Sequence, residues 1–242
     1  PLFLVFFSAS RTEAIPSMPL PTQNGSKHND SIELLKKNEY AKVVELEKRL
    51  SAEDPSDLTA RFLLTIAYLG SDDEKSALDQ AEQVKRIDPA FAGELYGAMG
   101  RYFITKKRFH KALVYFNESL KITEDPSVIR HIASIYLSQG LLKNAREYYE
   151  KLLPTEPDYL NLSRICLAEA QYEKAIQYAK ESLNNDPKSA GSYLVLGTAY
   201  LLTDKTDLAY AHFLVLKQIS PEFFLTSYFL GLVKLIQKDY DN

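Results

Sequence analysis

Apolar and polar positions along this chain follow a helical period. In the stretch "YLVLGTAYLLTDKTDLAYAHF", residues 193–213, apolar side chains recur three and four positions apart on both sides of a short polar segment. Positions with that spacing share one face of an α-helix, so Tyr193, Leu196 and Tyr200 form one stripe. The polar segment between the two apolar runs indicates a turn. The stretch therefore predicts two helices that pack against each other.

The same arrangement recurs in tandem. Four further copies keep the order of large and small residues, with half-copies at 39–55 and 227–240. Their defining positions are Tyr96, Met99, Gly100, Phe103, Ala112 and Phe116; Leu64, Tyr68 and Ala77; Ile132, Ala133, Tyr136, Ala145 and Tyr149; and Leu162, Cys166, Ala175 and Ala179. A proline after a polar or acidic residue closes each copy, at Pro55, Pro89, Pro126, Pro157, Pro187 and Pro221.

This pattern resembles the tetratricopeptide repeat, in which aromatic-x2-Leu-Gly-x2-Tyr is followed by Ala-x3-Phe and a proline at a period of about 34 residues. The resemblance covers roughly residues 31–242. It implies an all-α, right-handed superhelical solenoid of about six antiparallel helix pairs. The expected repeats span about 31–56, 58–90, 93–126, 127–157, 158–188 and 190–222, with a partial repeat at 224–242.

The residue types have a packing reason in such a fold. A small residue on the first helix lets the two helices of a pair approach closely, and these positions are Gly100, Ala133, Gly197 and Gly231. An alanine on the second helix acts in the same way. We expect the aromatic residues one turn later, Phe116, Tyr149 and Phe213, to fill the gap between neighbouring pairs. Each proline disfavours helix before it and sets the turn into the next pair.

The two ends of the chain differ from the repeats. Residues 1–14, "PLFLVFFSASRTEA", combine an apolar run with small residues and resemble the remnant of a secretory signal whose start lies in a longer precursor. The alternatives are a truncated membrane anchor and a strand or core segment. Residues 15–30 read as a flexible linker. At the other end, Phe229, Leu230 and Val233 would lack a cover, so we expect the natural chain to continue, unless residues 227–239 form a capping helix.

Composition and motifs give little sign of chemistry. The net charge of −3 is too close to neutral for a general nucleic-acid binder. The single cysteine, Cys166, excludes an intramolecular disulfide and is expected to be a small buried side chain. Neither a phosphate-binding loop nor a catalytic acid–base pair is evident, and His28, His110, His131 and His212 lack partners at metal-ligand spacing. We therefore expect no cofactor, metal or small-molecule substrate, and no enzyme activity.

In the tetratricopeptide family the first helix of each pair lines a concave groove that holds a peptide or helix of another protein. Carried over to this chain, the resemblance assigns to the groove Phe62, Ile66, Leu69, Arg101, Ile104, Arg130, Ser134, Leu137, Leu160, Arg164, Leu167, Leu194, Thr198, Leu201, Leu202, Tyr228 and Leu232. Arg101, Arg130 and Arg164 fall in successive repeats and could grip a carboxylate-bearing peptide. The alternative is that each arginine pairs with an acid of its own array, such as Glu94, and that the apolar residues pack between repeats.

The sequence thus predicts a non-catalytic interaction scaffold. The expected setting is extracytoplasmic, periplasmic or secreted, in the assembly of an envelope or secretory complex, and cytoplasmic if residues 1–14 are not a signal. One alternative is a structural protein that self-associates through its uncovered C-terminal end. Another is the interaction domain of a longer protein whose catalytic part lies beyond Asn242.

Overall fold

The computed structural model describes residues 27–153 and 157–240, and within these ranges all regular structure is α-helical. The predicted signal remnant and almost all of the predicted linker lie outside the described residues. Thirteen helices occur in the described part: α1 (Asn29–Lys36), α2 (Tyr40–Glu53), α3 (Leu58–Gly70), α4 (Glu74–Ile87), α5 (Pro89–Thr105), α6 (Phe109–Leu120), α7 (Pro126–Ser138), α8 (Leu142–Lys151), α9 (Tyr159–Ala168), α10 (Tyr172–Asn185), α11 (Ala190–Leu202), α12 (Thr206–Ile219) and α13 (Leu225–Tyr240).

Consecutive helices form hairpins, each made of an odd-numbered and the following even-numbered helix, and α13 follows the last of them. In several hairpins an aspartate caps the N-terminus of the first, odd-numbered helix. The carboxylate of Asp88 accepts a hydrogen bond from the amide of Phe91 at 3.0 Å, and Pro89 occupies the first helical position. A proline fits there because its missing amide hydrogen would have no helical partner. The acid–proline pairs Asp88–Pro89 and Asp125–Pro126 thus mark helix starts as well as repeat ends.

Every hairpin in the described chain turns through a residue in the left-handed region. These residues are Asn38, Asp72, Lys107, Gly140, Ala170 and Asp204. In each turn the backbone amide of the residue after the left-handed one donates to the carbonyl five residues before it, at the end of the first helix. For example, the amide of Lys205 donates to the carbonyl of Tyr200 at 2.9 Å. This six-to-one hydrogen bond defines the Schellman motif. Glycine, which adopts the left-handed region without strain, stands at only one of the six turns.

Glycines bring the two helices of a hairpin together, as predicted, at Gly100 and Gly197. A Cβ atom added at Gly100 would lie 2.5 Å from the ring of Phe116, and one added at Gly197 would lie 2.5 Å from the ring of Phe213. Each ring therefore rests directly on the backbone of the opposite helix. The prediction is wrong for Gly231, where an added Cβ would meet no atom within 4 Å.

In two other hairpins the larger side chain of this contact lies on the first helix and the smaller one on the second. Sixteen residues separate Gly100 from Phe116, and the same interval separates Thr65 from Ala81 and Ser163 from Ala179. All six residues are buried. The interhelical space is filled in both arrangements, as close packing requires.

The chain divides into two compact units, which we call the N-terminal unit, ending at Ile132, and the C-terminal unit, beginning at Ala133. In the C-terminal unit one apolar cluster joins the last hairpins, and within it the rings of Phe213 and Phe229 stack with centroids 4.9 Å apart. Cys166 is buried in the same cluster, as expected. Burial raises the pKa of its thiol, which disfavours the reactive thiolate.

The N-terminal unit contains a short first helix, α1, that the half-copy at 39–55 did not predict. Asn29 and Asp30, assigned to the linker, form its first turn, and His28 just before it is fully buried. His28 lies between the carboxylates of Glu47 and Asp57, with its ring nitrogens 2.9 and 3.1 Å from their oxygens.

Candidate functional site

Five residues assigned to the binding groove belong instead to the core. Phe62 and Leu69 of α3, and Leu137, Leu167 and Leu194 of the C-terminal unit, are each less than 9% exposed. Phe62 shows the physical reason, because its ring packs at 6.3 Å against Phe91 of the next hairpin. Their assignment as partner-contacting residues is corrected: these side chains fill space between helices and leave little surface for a partner.

The remaining assigned residues keep accessible surface. In the N-terminal unit Ile66, Ile104, Arg101 and Arg130 are half-buried. In the C-terminal unit the accessible set is Ser134, Leu160, Arg164, Thr198, Leu201, Leu202, Tyr228 and Leu232. All lie on odd-numbered helices, and we call them the first-helix surface. Each unit therefore presents a mixture of aliphatic side chains and arginines on one type of helix.

Arg101 lies over a glycine of its own helix. A Cβ added at Gly97 would be 3.4 Å from a guanidinium nitrogen of Arg101 and 3.4 Å from Val128. Burial lowers the pKa of Arg101, while the nearby carboxylates of Asp125 and Glu94 favour its charged form. The arginine thus fills a space left by the missing side chain and is partly balanced within its own unit.

Arg164 is placed in the same way over the next hairpin. A Cβ added at Gly191 would lie 2.9 Å from a guanidinium nitrogen of Arg164 and 3.1 Å from Leu160. A guanidinium N–H of Arg164 donates to the side-chain oxygen of Asn161 at 3.4 Å, and Asn161 in turn donates to Asp158 at 3.0 Å. Burial lowers the pKa of Arg164, and Asp158 favours its charged form.

Arg130 belongs to the N-terminal unit, beside His131. The imidazole of His131 packs against the ring of Phe116, with centroids 5.4 Å apart, and its Nδ1 lies 2.6 Å from the carbonyl oxygen of Ser127. Burial lowers the pKa of His131, and the positive charges of Arg101 and Arg130 act in the same direction. Two arginines and a histidine thus adjoin each other at this surface, with Asp125 as the acidic neighbour.

The three predicted arginines therefore already contact or adjoin other residues of this chain. Asp125 and Glu94 are the acidic neighbours of Arg101, and Asp158 is that of Arg164, so both the grip on a partner and the pairing within the array stay predictions. The sequence reading missed Asp125, Asn161 and Gly191. Asp125 and Asn161 could have been found because each stands within three residues of a helix start, whereas the role of Gly191 depends on contact with another hairpin.

The described residues contain neither a metal-binding cluster nor a membrane-spanning helix. Groups of three or more histidine, cysteine or acidic side chains arranged to hold a metal ion do not occur there. Within the same part of the chain, each helix is too short or too polar to cross a bilayer.

The family model for the tetratricopeptide repeat matches this chain at residues 93–126, 131–158 and 159–189. These three segments are tetratricopeptide repeats. The all-α solenoid fold of this chain is also that of solved repeat structures. PilF of Pseudomonas aeruginosa aligns with 86% of this chain and 96% of its own, at 19% identity and a TM-score of 0.58.

Two further solved structures share the fold. YrrB, a tetratricopeptide protein with an unusual peptide-binding site, aligns with 76% of this chain and 97% of its own at 16% identity and a TM-score of 0.60. PilW, a type IV pilus biogenesis factor, aligns with 88% of this chain and 99% of its own at 17% identity and a TM-score of 0.51. Likeness at these identities shows the tetratricopeptide fold alone.

Among curated proteins, the mitochondrial import receptor subunit TOM70 of Saccharomyces cerevisiae is 31% identical over 77 residues. The match covers 32% of this chain and only 12% of the receptor. This chain therefore spans a small part of its curated relative, in keeping with a shared repeat within a much longer protein.

Proposed function

We propose that this tetratricopeptide chain is a non-catalytic scaffold that binds an acidic, apolar peptide or amphipathic helix of another protein on its first-helix surface. Tetratricopeptide repeats mediate protein–protein interaction, and the proposal assigns that role to named side chains. The main support is the position of the guanidinium groups of Arg101 and Arg164. Each of them lies next to a glycine and beside half-buried aliphatic residues.

The chemistry of these places defines the ligand. A guanidinium group carries several N–H donors, and a carboxylate can accept two of them at once. Ile104 in the N-terminal unit and Leu160 in the C-terminal unit add half-buried apolar surface on the same helices. A peptide that alternates carboxylates with leucine or phenylalanine would use both features. Each unit is proposed to bind such a segment independently.

The test is selection from a displayed library of random 12-residue peptides, followed by fluorescence anisotropy with the enriched peptides and the full chain. We expect enrichment of Asp or Glu next to Leu or Phe, and an affinity that falls as salt is added. Substituting Arg101→Ala with Arg130→Ala, or Arg164→Ala alone, should weaken binding of peptides held by that unit by roughly tenfold, because charge-assisted hydrogen bonds are lost.

Arg86→Ala is the matched control, because Arg86 is exposed on α4, the second helix of its hairpin. This variant should bind as the unmodified chain does. Enriched peptides without acidic residues, or equal weakening by Arg86→Ala, would contradict the assignment of the arginines. Failure to enrich any peptide would contradict the proposed binding surface itself.

We further propose an extracytoplasmic role in assembling an envelope complex. The support is the apolar run followed by small residues at 1–14, together with the fold shared with the pilus biogenesis factor PilW. An alkaline phosphatase fusion to the natural full-length precursor in a bacterial host tests the location, because that enzyme is active only where disulfides form. Active fusions would support export, and inactive fusions of normal abundance would favour a cytoplasmic setting.

A further inference from the structure

The last helix, α13, has two apolar faces, and only one of them is packed. Phe229, Leu230 and Val233, which were expected to lack a cover, are instead buried against the preceding hairpin. On the opposite side of the helix Tyr228 and Leu235 are each 60% exposed, and Phe224, the residue just before α13, is 76% exposed. Gly231 lies between these residues and is also exposed. Intervals of three and four residues place Tyr228, Gly231 and Leu235 on one line along the helix, and Phe224 adjoins the start of that line. We call these four residues the α13 stripe.

The rest of the chain shows what such a glycine accommodates. At Gly100 and Gly197, the ring of a phenylalanine from an apposed helix rests on the glycine backbone. Gly231 likewise exposes backbone without a side chain, and a Cβ added there would lie within 4 Å of no other atom. A group that covers the α13 stripe should therefore be a helix that carries an aromatic side chain.

The α13 stripe itself has that composition. When two copies of α13 are placed antiparallel, Tyr228 of one copy can face Gly231 of the other while Phe224 faces Leu235. Both pairs have the same midpoint, between Phe229 and Leu230, so a single two-fold axis satisfies them together. The large ring of Tyr228 then meets the place without a side chain, and this occurs twice. Such a contact is isologous and closes at two copies.

The charges near the stripe fit the same arrangement. Glu222 is exposed just before it, whereas Lys234 and Lys238 are exposed towards its other end. In an antiparallel pair, Glu222 of one copy comes close to Lys238 of the second copy. A parallel pair would place like charges side by side, which is unfavourable. Self-recognition through an antiparallel pair thus agrees with both shape and charge.

We propose that two copies of this chain associate through their α13 stripes about a two-fold axis between Phe229 and Leu230. One helix face is smaller than the ~800 Å² that a stable interface buries on each partner, so the dimer is weak and depends on concentration. Because Tyr228 also belongs to the first-helix surface, the tests below rely on Leu235, Gly231 and Phe224. The peptide-binding tests rely on the arginines, so either proposal can fail alone.

Sedimentation equilibrium of the full chain, from about 5 to about 500 μM, tests the association. We expect a reversible monomer–dimer equilibrium whose dissociation constant rises at least about tenfold in Leu235→Glu and in Gly231→Leu, since one adds a charge and the other fills the place of the Tyr228 ring. Leu78→Glu is the matched control, because Leu78 is 40% exposed on α4, and it should dimerise normally. Circular dichroism confirms that each variant is folded.

Cysteine cross-linking tests the register. A mixture of Phe224→Cys and Leu235→Cys chains should form a disulfide-linked pair on oxidation, whereas each variant alone should not. In the proposed pair, identical residues lie about 16 Å apart along the helix axis, beyond the ~7 Å Cα separation that a disulfide spans. The unmodified chain reports the background from the buried Cys166. A monomer throughout the concentration range, association unaffected by both stripe variants, or cross-linking between identical residues would overturn the proposal.

Discussion

Nδ1 of His28 lies 2.9 Å from a carboxylate oxygen of Glu47, and solvent reaches neither side chain. Nε2 of the same ring lies 3.1 Å from Asp57. Glu47 follows Ser31 by sixteen residues, the interval that separates Gly100 from Phe116. A carboxylate therefore occupies the place that an aromatic ring fills elsewhere, and His28 supplies its partner. This contact attaches the start of α1 to α2 and α3.

Removing one member of this cluster should leave a buried polar group without its partner. We expect Glu47→Ala to lower the free energy of unfolding by roughly 3–5 kcal/mol, as measured by urea denaturation. Replacing both groups, with His28→Leu and Glu47→Phe, should cost much less, because an apolar pair can fill the same space. Glu45→Ala, at an exposed position of α2, should change stability little. A double variant as unstable as Glu47→Ala would contradict this explanation.

The same substitution at two glycines should have opposite effects. Gly197→Ala places a methyl group 2.5 Å from the ring of Phe213, so we expect a loss of about 1–3 kcal/mol through overpacking. Gly231→Ala meets no atom within 4 Å and should stabilise α13 by up to about 1 kcal/mol, since alanine favours helix. The stabilities of the two variants are compared by thermal unfolding, at a concentration where the chain is monomeric. Equal effects would show that the helices can shift to admit the methyl group.

The hairpin turns allow a second matched pair. Ala170 has a φ of 58° and Gly140 a φ of 74°, so both residues are in the left-handed region. We expect Ala170→Gly to raise the free energy of unfolding by about 0.5–1 kcal/mol and Gly140→Ala to lower it by about 1 kcal/mol, because a Cβ is strained there. Denaturant titration measures both. A loss of stability in Ala170→Gly would mean that the flexibility gained by the unfolded chain outweighs the relieved strain.

His131 should make the N-terminal unit sensitive to acid. Burial lowers the pKa of its imidazole below the ordinary value of about 6.5. Its contribution to stability is therefore fully present above about pH 6.5 and is lost as the pH falls through the lower, folded-state pKa. We expect the unmodified chain to lose more stability between pH 7.5 and pH 5 than His131→Phe, by urea denaturation at each pH. Exposed His110→Phe should behave as the unmodified chain, and identical losses in all three would contradict the prediction.

The repeat could be predicted because its residues act locally. Gly100 with Phe116, and the proline that opens α5, follow from periodicity and from the chemistry of one hairpin. Turn residues such as Lys107 were missed because the left-handed conformation is imposed by the closing hydrogen bond, and lysine gives no sign of it.

The binding surface was harder to predict, since it depends on contacts between hairpins. Phe62 and Ile66 share a face of α3, yet Phe91 of the next hairpin covers the first and leaves the second half-exposed. The positions of the arginines likewise depend on where a neighbouring helix carries a glycine. By contrast, the buried Glu47 left a signal in the sequence, because Val43 and Glu47 have the spacing of the alanine and aromatic residue in other second helices.

The reversed sizes at Gly100 with Phe116 and at Thr65 with Ala81 limit how this gene can change by recombination. A crossover that joined α3 to α6 would bring a threonine against a phenylalanine, and the reciprocal product would bring a glycine against an alanine and leave a void. Exchange of whole hairpins keeps each matched couple intact, whereas exchange of single helices breaks it. Duplication and deletion in this array should therefore proceed in units of two helices.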